Sequence, residues 1–272
     1  MTFNSDTHSR SPVRLLAPLA CSLVTLLVAS TGRANPKPLP FTYPYETLPE
    51  GETEVEQYVD ATPLRTVQDT GALGWEPRYA LTTELEYGLT DRLELGLYLA
   101  FQQDAGGPLA LDGTKQRLRL RLGDSGAWPV DVALYLEVAE LHDELEIEEK
   151  LIVQRRFGKA RVMTNLWVEQ SLEQYAGELA WTLNPTAGLT YQITPALHVG
   201  AEYWAHAKVG EREGDDFNDD WHHFVGPAVS LQLGRLWWTT AAYYRVDEPS
   251  RPVALGDAYG HAWVRTIVGL AL

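Results

Sequence analysis

From Arg92 to Gln102 the chain alternates. Leu93, Leu95, Leu97, Leu99 and Phe101 are strongly apolar, and between them stand Glu94, Gly96, Tyr98, Ala100 and Gln102. Successive side chains on a strand point to opposite faces, so the run predicts a strand with one greasy and one wet face. The same repeat of two recurs to the last residue. It predicts twelve strands, near 52–60, 78–88, 92–103, 115–122, 129–139, 144–156, 161–171, 178–190, 196–209, 221–233, 236–247 and 261–272. This reads as an all-β fold: a transmembrane antiparallel up-and-down β-barrel with a polar interior. An even strand number puts both ends of the barrel on one side, as single-chain bacterial barrels require.

The connections sort by side. With the first strand starting in the periplasm, the periplasmic turns are Leu89–Asp91, Gly123–Trp128, Phe157–Ala160, Tyr191–Pro195 and Gly234–Arg235. On the other side lie the longer Ala61–Pro77, Asp104–Thr114, Gly210–Asp220 and Glu248–Gly260, with two short connections near His142 and Tyr175. Short periplasmic turns with longer outer loops are the asymmetry of outer-membrane barrels. A soluble sandwich has no reason to sort loops by parity, and would need a second sheet to cover rows such as Leu93–Phe101. Aromatics also sort: Tyr87, Phe157, Tyr191 and Trp238 near the short turns, Tyr79, Phe101, Trp221 and Tyr244 near the long loops. Interfacial girdles of this kind satisfy both the ring and its polar handle.

The N-terminal stretch reads as an export signal. Arg10 and Arg14 precede an apolar run, Leu15–Ser30, and Gly32-Arg33-Ala34 offers small residues for cleavage after Ala34. A retained spanning helix is disfavoured by the shortness of the run and by Pro18. Lipidation at Cys21 is disfavoured by the poor sequence Pro18-Leu19-Ala20 before it. Residues 1–34 are therefore the expected signal peptide and 52–272 the barrel. Between them, residues 35–51 carry Pro36, Pro38, Pro40, Pro44 and Pro49, which predict an extended periplasmic lead-in without regular structure.

Two segments resemble a known group. Tyr43-Pro44-Tyr45-Glu46-Thr47-Leu48-Pro49-Glu50-Gly51 matches an entry before a first strand. Glu84-Leu85-Glu86-Tyr87-Gly88-Leu89-Thr90-Asp91-Arg92-Leu93-Glu94 matches an early hairpin. They resemble uncharacterised Gram-negative outer-membrane barrels, loosely akin to the meta-pathway phenol-degradation and transport-like barrel group. The resemblance covers the N-terminal third; the rest matches only as a barrel pattern. It implies the bacterial cell outer membrane and a transport role, and supplies no catalytic residues. In the hairpin, Gly88 lets the chain bend, while Thr90 and Asp91 satisfy turn amides.

With apolar positions outward, ionisable groups crowd the interior. Arg117, Arg119 and Arg121 form a ladder between outward Leu118, Leu120 and Leu122. Arg92, Glu94, Asp131 and Glu137 join them as candidate lumen and selectivity residues, the ladder facing carboxylates of the third and fifth strands. Either these rows pair and fill the lumen, or they leave a charged constriction that selects permeants. A twelve-stranded barrel lies between filled eight-stranded barrels and open porins, so width does not decide. Two irregularities stand out. Glu149 falls on the lipid face in strict register unless a bulge or an interfacial position relieves it, and the chain ends on Leu272 where a terminal aromatic is usual.

Charge and composition narrow the function. The 272-residue chain carries −15, and removing the signal's net +2 leaves −17 with no cysteine. Nucleic acid would be repelled, and thiol chemistry is excluded. An outer-membrane phospholipase would need a Ser–His pair at the outer rim. His222 and His223 lie there, but Ser230 points the other way and Ser171 has no support. A rim protease could use Asp219, Asp220, His222 and His223. The acidic loop Glu211–Asp220 lacks the spacing of an established calcium loop, so it reads as a solvated face. No catalytic residue, metal or cofactor is assigned. The expected function is a narrow channel or transport-like barrel for small solutes, with an ion-paired, non-conducting surface-contact barrel as the alternative. Expected partners are outer-membrane lipid and lipopolysaccharide, and the barrel-insertion machinery during assembly.

Overall fold

The computed structural model describes residues 34–67, 70–142, 144–173, 179–209, 221–247 and 259–272. Its strands are β1 (Thr53–Val67), β2 (Leu73–Thr90), β3 (Leu93–Gln103), β4 (Ala110–Arg121), β5 (Asp131–Leu141), β6 (Glu144–Phe157) and β7 (Ala160–Glu173). They continue with β8 (Leu179–Leu183), β9 (Thr186–Gln192), β10 (Leu197–Val209), β11 (His222–Leu233), β12 (Leu236–Arg245) and β13 (Ala262–Ala271). Neighbours pair antiparallel in sequence order, and β13 pairs with β1, so the sheet closes. β8 and β9 are two parts of one stave, since both pair with β7 and β10. The barrel thus has twelve staves. Closure gives every stave a hydrogen-bonded neighbour on each side, which is what a sheet in lipid needs.

Alternation in sequence becomes alternation in burial. Along β3, Glu94, Gly96, Tyr98 and Ala100 are buried while Leu97 and Leu99 stand exposed. The same holds on β5, where Asp131, Ala133, Tyr135, Glu137 and Ala139 face inward. The outer wall carries the leucines, with Tyr87, Phe157, Tyr191 and Trp238 exposed at the short-turn end.

Two details differ from the sequence reading, and Glu149 keeps the outward place that strict register gave it. The expected loop 61–77 is mostly strand: β1 and β2 pair from Thr53↔Tyr87 out to Val67↔Leu73. Pro63 and Pro77 suggested a loop, yet they face each other in this hairpin. β13 follows β1 only to Ala61, and β3 follows β2 only to Tyr79, so both prolines lie where no neighbour needs their missing N–H. The eighth stave breaks at Asn184-Pro185, because Pro185 cannot donate to the ladder. The Asn184 N–H reaches the carbonyl of Trp167, and the Pro185 carbonyl accepts from Ala205. Glu149 lies on the exposed face without any bulge: the register runs Leu136↔Glu149↔Val168 unshifted. At the seam, the Leu272 N–H donates to the Thr53 carbonyl.

The largest difference concerns residues 34–49. They lack regular secondary structure, as their prolines require, but they do not lie outside the barrel. Lys37, Leu39, Thr42, Tyr45 and Leu48 are almost fully buried. The segment is a coil packed against the inner wall.

Candidate functional site

The coil runs round the inside of the barrel. Asn35 donates its backbone N–H to Glu54 of β1 at 3.0 Å. The Lys37 carbonyl accepts from Thr239 of β12 at 2.7 Å. Phe41 and Thr42 donate their N–H groups to Glu202 of β10 at 3.0 and 2.5 Å, and Tyr43 donates to Asn165 of β7 at 2.7 Å. Tyr45 donates to Gln154 of β6 at 3.2 Å, and Leu48 to Glu94 of β3 at 2.6 Å. At its end the Gly51 N–H meets the Gly88 carbonyl of β2 at 2.8 Å. Apolar side chains fill the spaces between these bonds. Leu39 and Phe41 pack with Met163, Trp204, Phe224 and Tyr243, while Tyr43 and Tyr45 pack with Tyr135 and Ile152.

Under the coil lies a dense ion cluster. Lys37 Nζ sits 2.6 Å from Glu56, 3.1 Å from Glu84 and 3.0 Å from Glu86. Arg117 sits 2.7 Å from Glu84, 2.6 Å from Glu86 and 2.8 Å from Glu94. Arg119 holds both oxygens of Glu94, at 2.8 and 3.0 Å. All of these groups are shut off from solvent. Burial by itself would lower the pKa of Lys37, but Glu56, Glu84 and Glu86 around it hold the ammonium well above its ordinary range.

The expected ladder is therefore split. Arg117 and Arg119 belong to the buried cluster and take Glu94 of the third strand, as expected, but the other partners of Arg117 lie on β2 rather than on the fifth strand. The reason is Gly96. In register Glu86, Gly96 and Arg117 lie side by side, and the missing side chain of Gly96 lets Arg117 reach across β3 to β2. A Cβ on Gly96 would come within 2.6 Å of Arg117 Nε. Glu137 lies opposite Arg117 in register but takes Lys115 at 3.1 Å and the Tyr135 hydroxyl at 2.5 Å. Arg121 donates to the carbonyl of Asp91 at the rim.

Arg92 is a correction to the lumen set, whereas Asp131 is buried on the inward face but is spent on a turn. Arg92 stands in the exposed β2–β3 turn, paired with Asp124 at 2.8 Å. Asp131 caps the β4–β5 connection, accepting from Ser125 at 3.0 Å and from the Gly126 N–H at 2.7 Å. The turn residues act as read, with one addition. Thr90 Oγ1 accepts from the Arg92 and Leu93 N–H groups. Asp91 accepts from the Glu50 N–H, and its carbonyl accepts from Thr47. Gly88 is needed for close approach rather than for a bend: a Cβ there would collide with the Pro49 carbonyl.

Further along the wall, Arg265 and Asp60 form a two-bond pair at 2.6 Å each, with Arg265 lying 3.8 Å from the Phe41 ring. The residues weighed for hydrolysis are engaged elsewhere. The His223 ring bonds the Tyr203 hydroxyl at 2.8 Å, and Ser230 bonds Thr239 at 2.8 Å. Ser171 lies opposite Glu146 in the β6–β7 register. Asp219, Asp220 and the rest of loop 211–220 lie outside the described residues. Lys37 was missed in the sequence because five prolines made its segment read as solvated. Its large apolar side chains, Leu39, Phe41, Tyr43, Tyr45 and Leu48, were the available signal.

No protein-family model matches the chain, and no curated protein is significantly similar to it. Among solved structures it is similar to the COG4313 outer membrane channel from Pseudomonas putida F1. The TM-score is 0.62 at 10% identity, over 87% of this chain and 100% of that one. It is similar also to the NanC porin, with TM-score 0.53, 7% identity, and 79% and 98% of the two chains covered. The translocator domain of the autotransporter NalP from Neisseria meningitidis gives TM-score 0.50 at 11% identity, over 94% and 95%. At these identities the likeness is one of fold: the chain is a transmembrane β-barrel of the outer-membrane type.

Proposed function

We propose that the protein is a narrow outer-membrane channel for small solutes whose conduction is limited by its N-terminal coil. The observation that carries this is the circuit of residues 34–49 round the inner wall, pinned by Lys37. Twelve staves lie between a barrel filled by its own side chains and an open porin, and here a separate stretch of chain occupies the lumen. In this reading residues 1–34 direct export and are removed, the short turns face the periplasm, and lipopolysaccharide and lipid surround the leucine wall. The insertion machinery takes up the last strand during assembly. The two N-terminal segments are the basis for grouping the chain with transport-like barrels. The hydrolase reading is set aside, because His223 and Ser230 have other partners.

The alternative is a barrel that does not conduct, and the buried ion pairs of Arg117 and Arg119 with wall carboxylates favour it. Planar-bilayer recording of refolded residues 35–272 against Lys37→Met separates the two. Discrete steps that grow in Lys37→Met support a channel limited by the coil. A folded, inserted barrel that stays silent in both forms supports the alternative.

A further inference from the structure

On the long-loop side of the coil the lumen holds a cavity of about 210 Å³. Its wall over β5, β6 and β7 is built in two rows. In one, Glu137, Glu148 and Glu169 lie directly opposite one another. In the next, Tyr135, Lys150 and Trp167 do the same. Like charges directly opposite on neighbouring strands repel, so three glutamates in line need cations between them.

The protein supplies too few. Lys115 is shared by Glu137 at 3.1 Å and Glu146 at 3.7 Å, and Lys150 lies 2.5 Å from Glu148. Asp60 is taken up by Arg265. Glu169 accepts an amide hydrogen from Asn184 at 3.2 Å. Five lining carboxylates thus meet three lining cations, an excess of two negative charges.

The same wall shows what kind of charge it accepts. The Lys150 ammonium lies 3.6 Å from the centre of the Trp167 ring and 4.2 Å from those of Tyr43 and Tyr135. Three ring faces round one ammonium form an aromatic cage, the arrangement that recognises alkylated ammonium ions; Lys150 fills it here, so an incoming cation must share or displace its ring contacts. The Trp167 indole N–H is buried and makes no hydrogen bond. A bare metal ion fits less well. The oxygens of Glu137, Glu146 and Glu148 come within 4.8 Å of one another, but Lys115 and Lys150 already stand among them.

We infer that this cavity binds a small organic cation of the alkylammonium class. Its charge lies beside Glu148 and Glu169, and its alkyl groups lie against Trp167 and Tyr43. The inference rests on the channel reading only for the route by which the cation arrives.

Choline is a suitable probe, with 3,3-dimethyl-1-butanol as its uncharged isostere. Titration calorimetry of the refolded mature chain in detergent should give saturable heat with choline and none with the isostere. Glu169→Gln and Trp167→Leu should each weaken choline binding about ten-fold, while Trp167→Phe keeps a ring and most of the affinity. Equal binding of the isostere, no saturable heat, or displacement of choline by equimolar calcium would each overturn the assignment. Choline binding by a barrel silent in bilayers would sink the channel reading alone. Conduction without choline binding would sink the cation site alone.

A separate observation carries a second proposal. The buried cluster sets Glu54, Glu56, Glu84, Glu86 and Glu94 against Lys37, Arg117 and Arg119, with Glu54 directly opposite Glu86. Glu54 accepts the Asn35 N–H at 3.0 Å. We infer that cleavage after Ala34 turns this nitrogen into an α-ammonium, so that export processing supplies a fourth cation to the cluster. Mass spectrometry of the membrane-extracted protein should find Asn35 at the N-terminus. The free-amine form should melt higher than one extended by Gly-Ser, and Glu54→Gln should abolish the difference. A different N-terminus, or equal melting of the free and extended forms, would overturn it.

Discussion

Lys37 and Glu56 stand 2.6 Å apart with both side chains shut off from water, although one belongs to an irregular coil and the other to the barrel wall. The pair ties plug to wall at the point where the wall is most acidic. A buried ion pair adds little net stability over an apolar pair of the same shape, but breaking one partner strands the other, at about 3–5 kcal/mol. The contact therefore acts more as a catch than as glue.

The catch should tolerate alkali. Because folded Lys37 is held above its unfolded value, its ion pairs contribute fully below the unfolded pKa of about 10.4 and fade only as pH rises through the higher folded value. Conductance should stay level from neutral pH to about 10. A rise beginning near pH 8 would show that something other than Lys37 holds the coil.

The arginine ladder should prove unequal. Arg117→Met leaves Glu84, Glu86 and Glu94 short of a cation and should cost about 3–5 kcal/mol in urea unfolding from vesicles. Arg121→Ala removes one rim hydrogen bond and should cost about 1 kcal/mol. Equal losses would mean that the buried cluster is not organised around Arg117.

Glu149 is the reverse case. It faces outward among Leu118, Leu134, Leu136, Leu151, Leu166 and Val168. A carboxylate in that field is costly, so Glu149→Leu should stabilise the barrel in vesicles by about 1–2 kcal/mol. No gain in the urea midpoint would place this stretch of wall outside the hydrocarbon.

Gly88→Val should unseat the end of the coil, because the new side chain meets the Pro49 carbonyl. The expected cost is about 1–3 kcal/mol. Gly123→Ala is the control, since its Cβ would find only Trp128, at 3.9 Å. A neutral Gly88→Val would show that the Pro49 approach is dispensable.

The barrel was legible because a repeat of two leaves its mark on every stave. Leu93 to Phe101 could be assigned faces before any contact was known. The plug was not legible, because prolines carry no face and Pro36 to Pro49 mask an alternation of large side chains beneath them. Arg117 was placed inside correctly and so was its partner Glu94, but its partners on β2 were not foreseen. Register names the residues alongside, and it takes the empty position of Gly96 to show that a long side chain reaches one strand further. Arg92 and Asp131 followed parity into the lumen on paper. In the structure Arg92 sits in a turn beyond the ladder, while Asp131 keeps its inward place opposite Gln154 and caps a turn from there.

The coil's backbone has a last consequence. Phe41, Thr42, Tyr43, Tyr45 and Leu48 are gripped through their main-chain N–H groups, by side chains that all belong to the wall. Every amino acid but proline offers that same N–H. The backbone part of the docking address is thus written in Glu202, Asn165, Gln154 and Glu94, while Lys37 and the buried side chains of Leu39, Tyr45 and Leu48 supply the part that depends on the coil's own residues. Substitutions at those wall positions should loosen the coil even though none of its own side chains is changed.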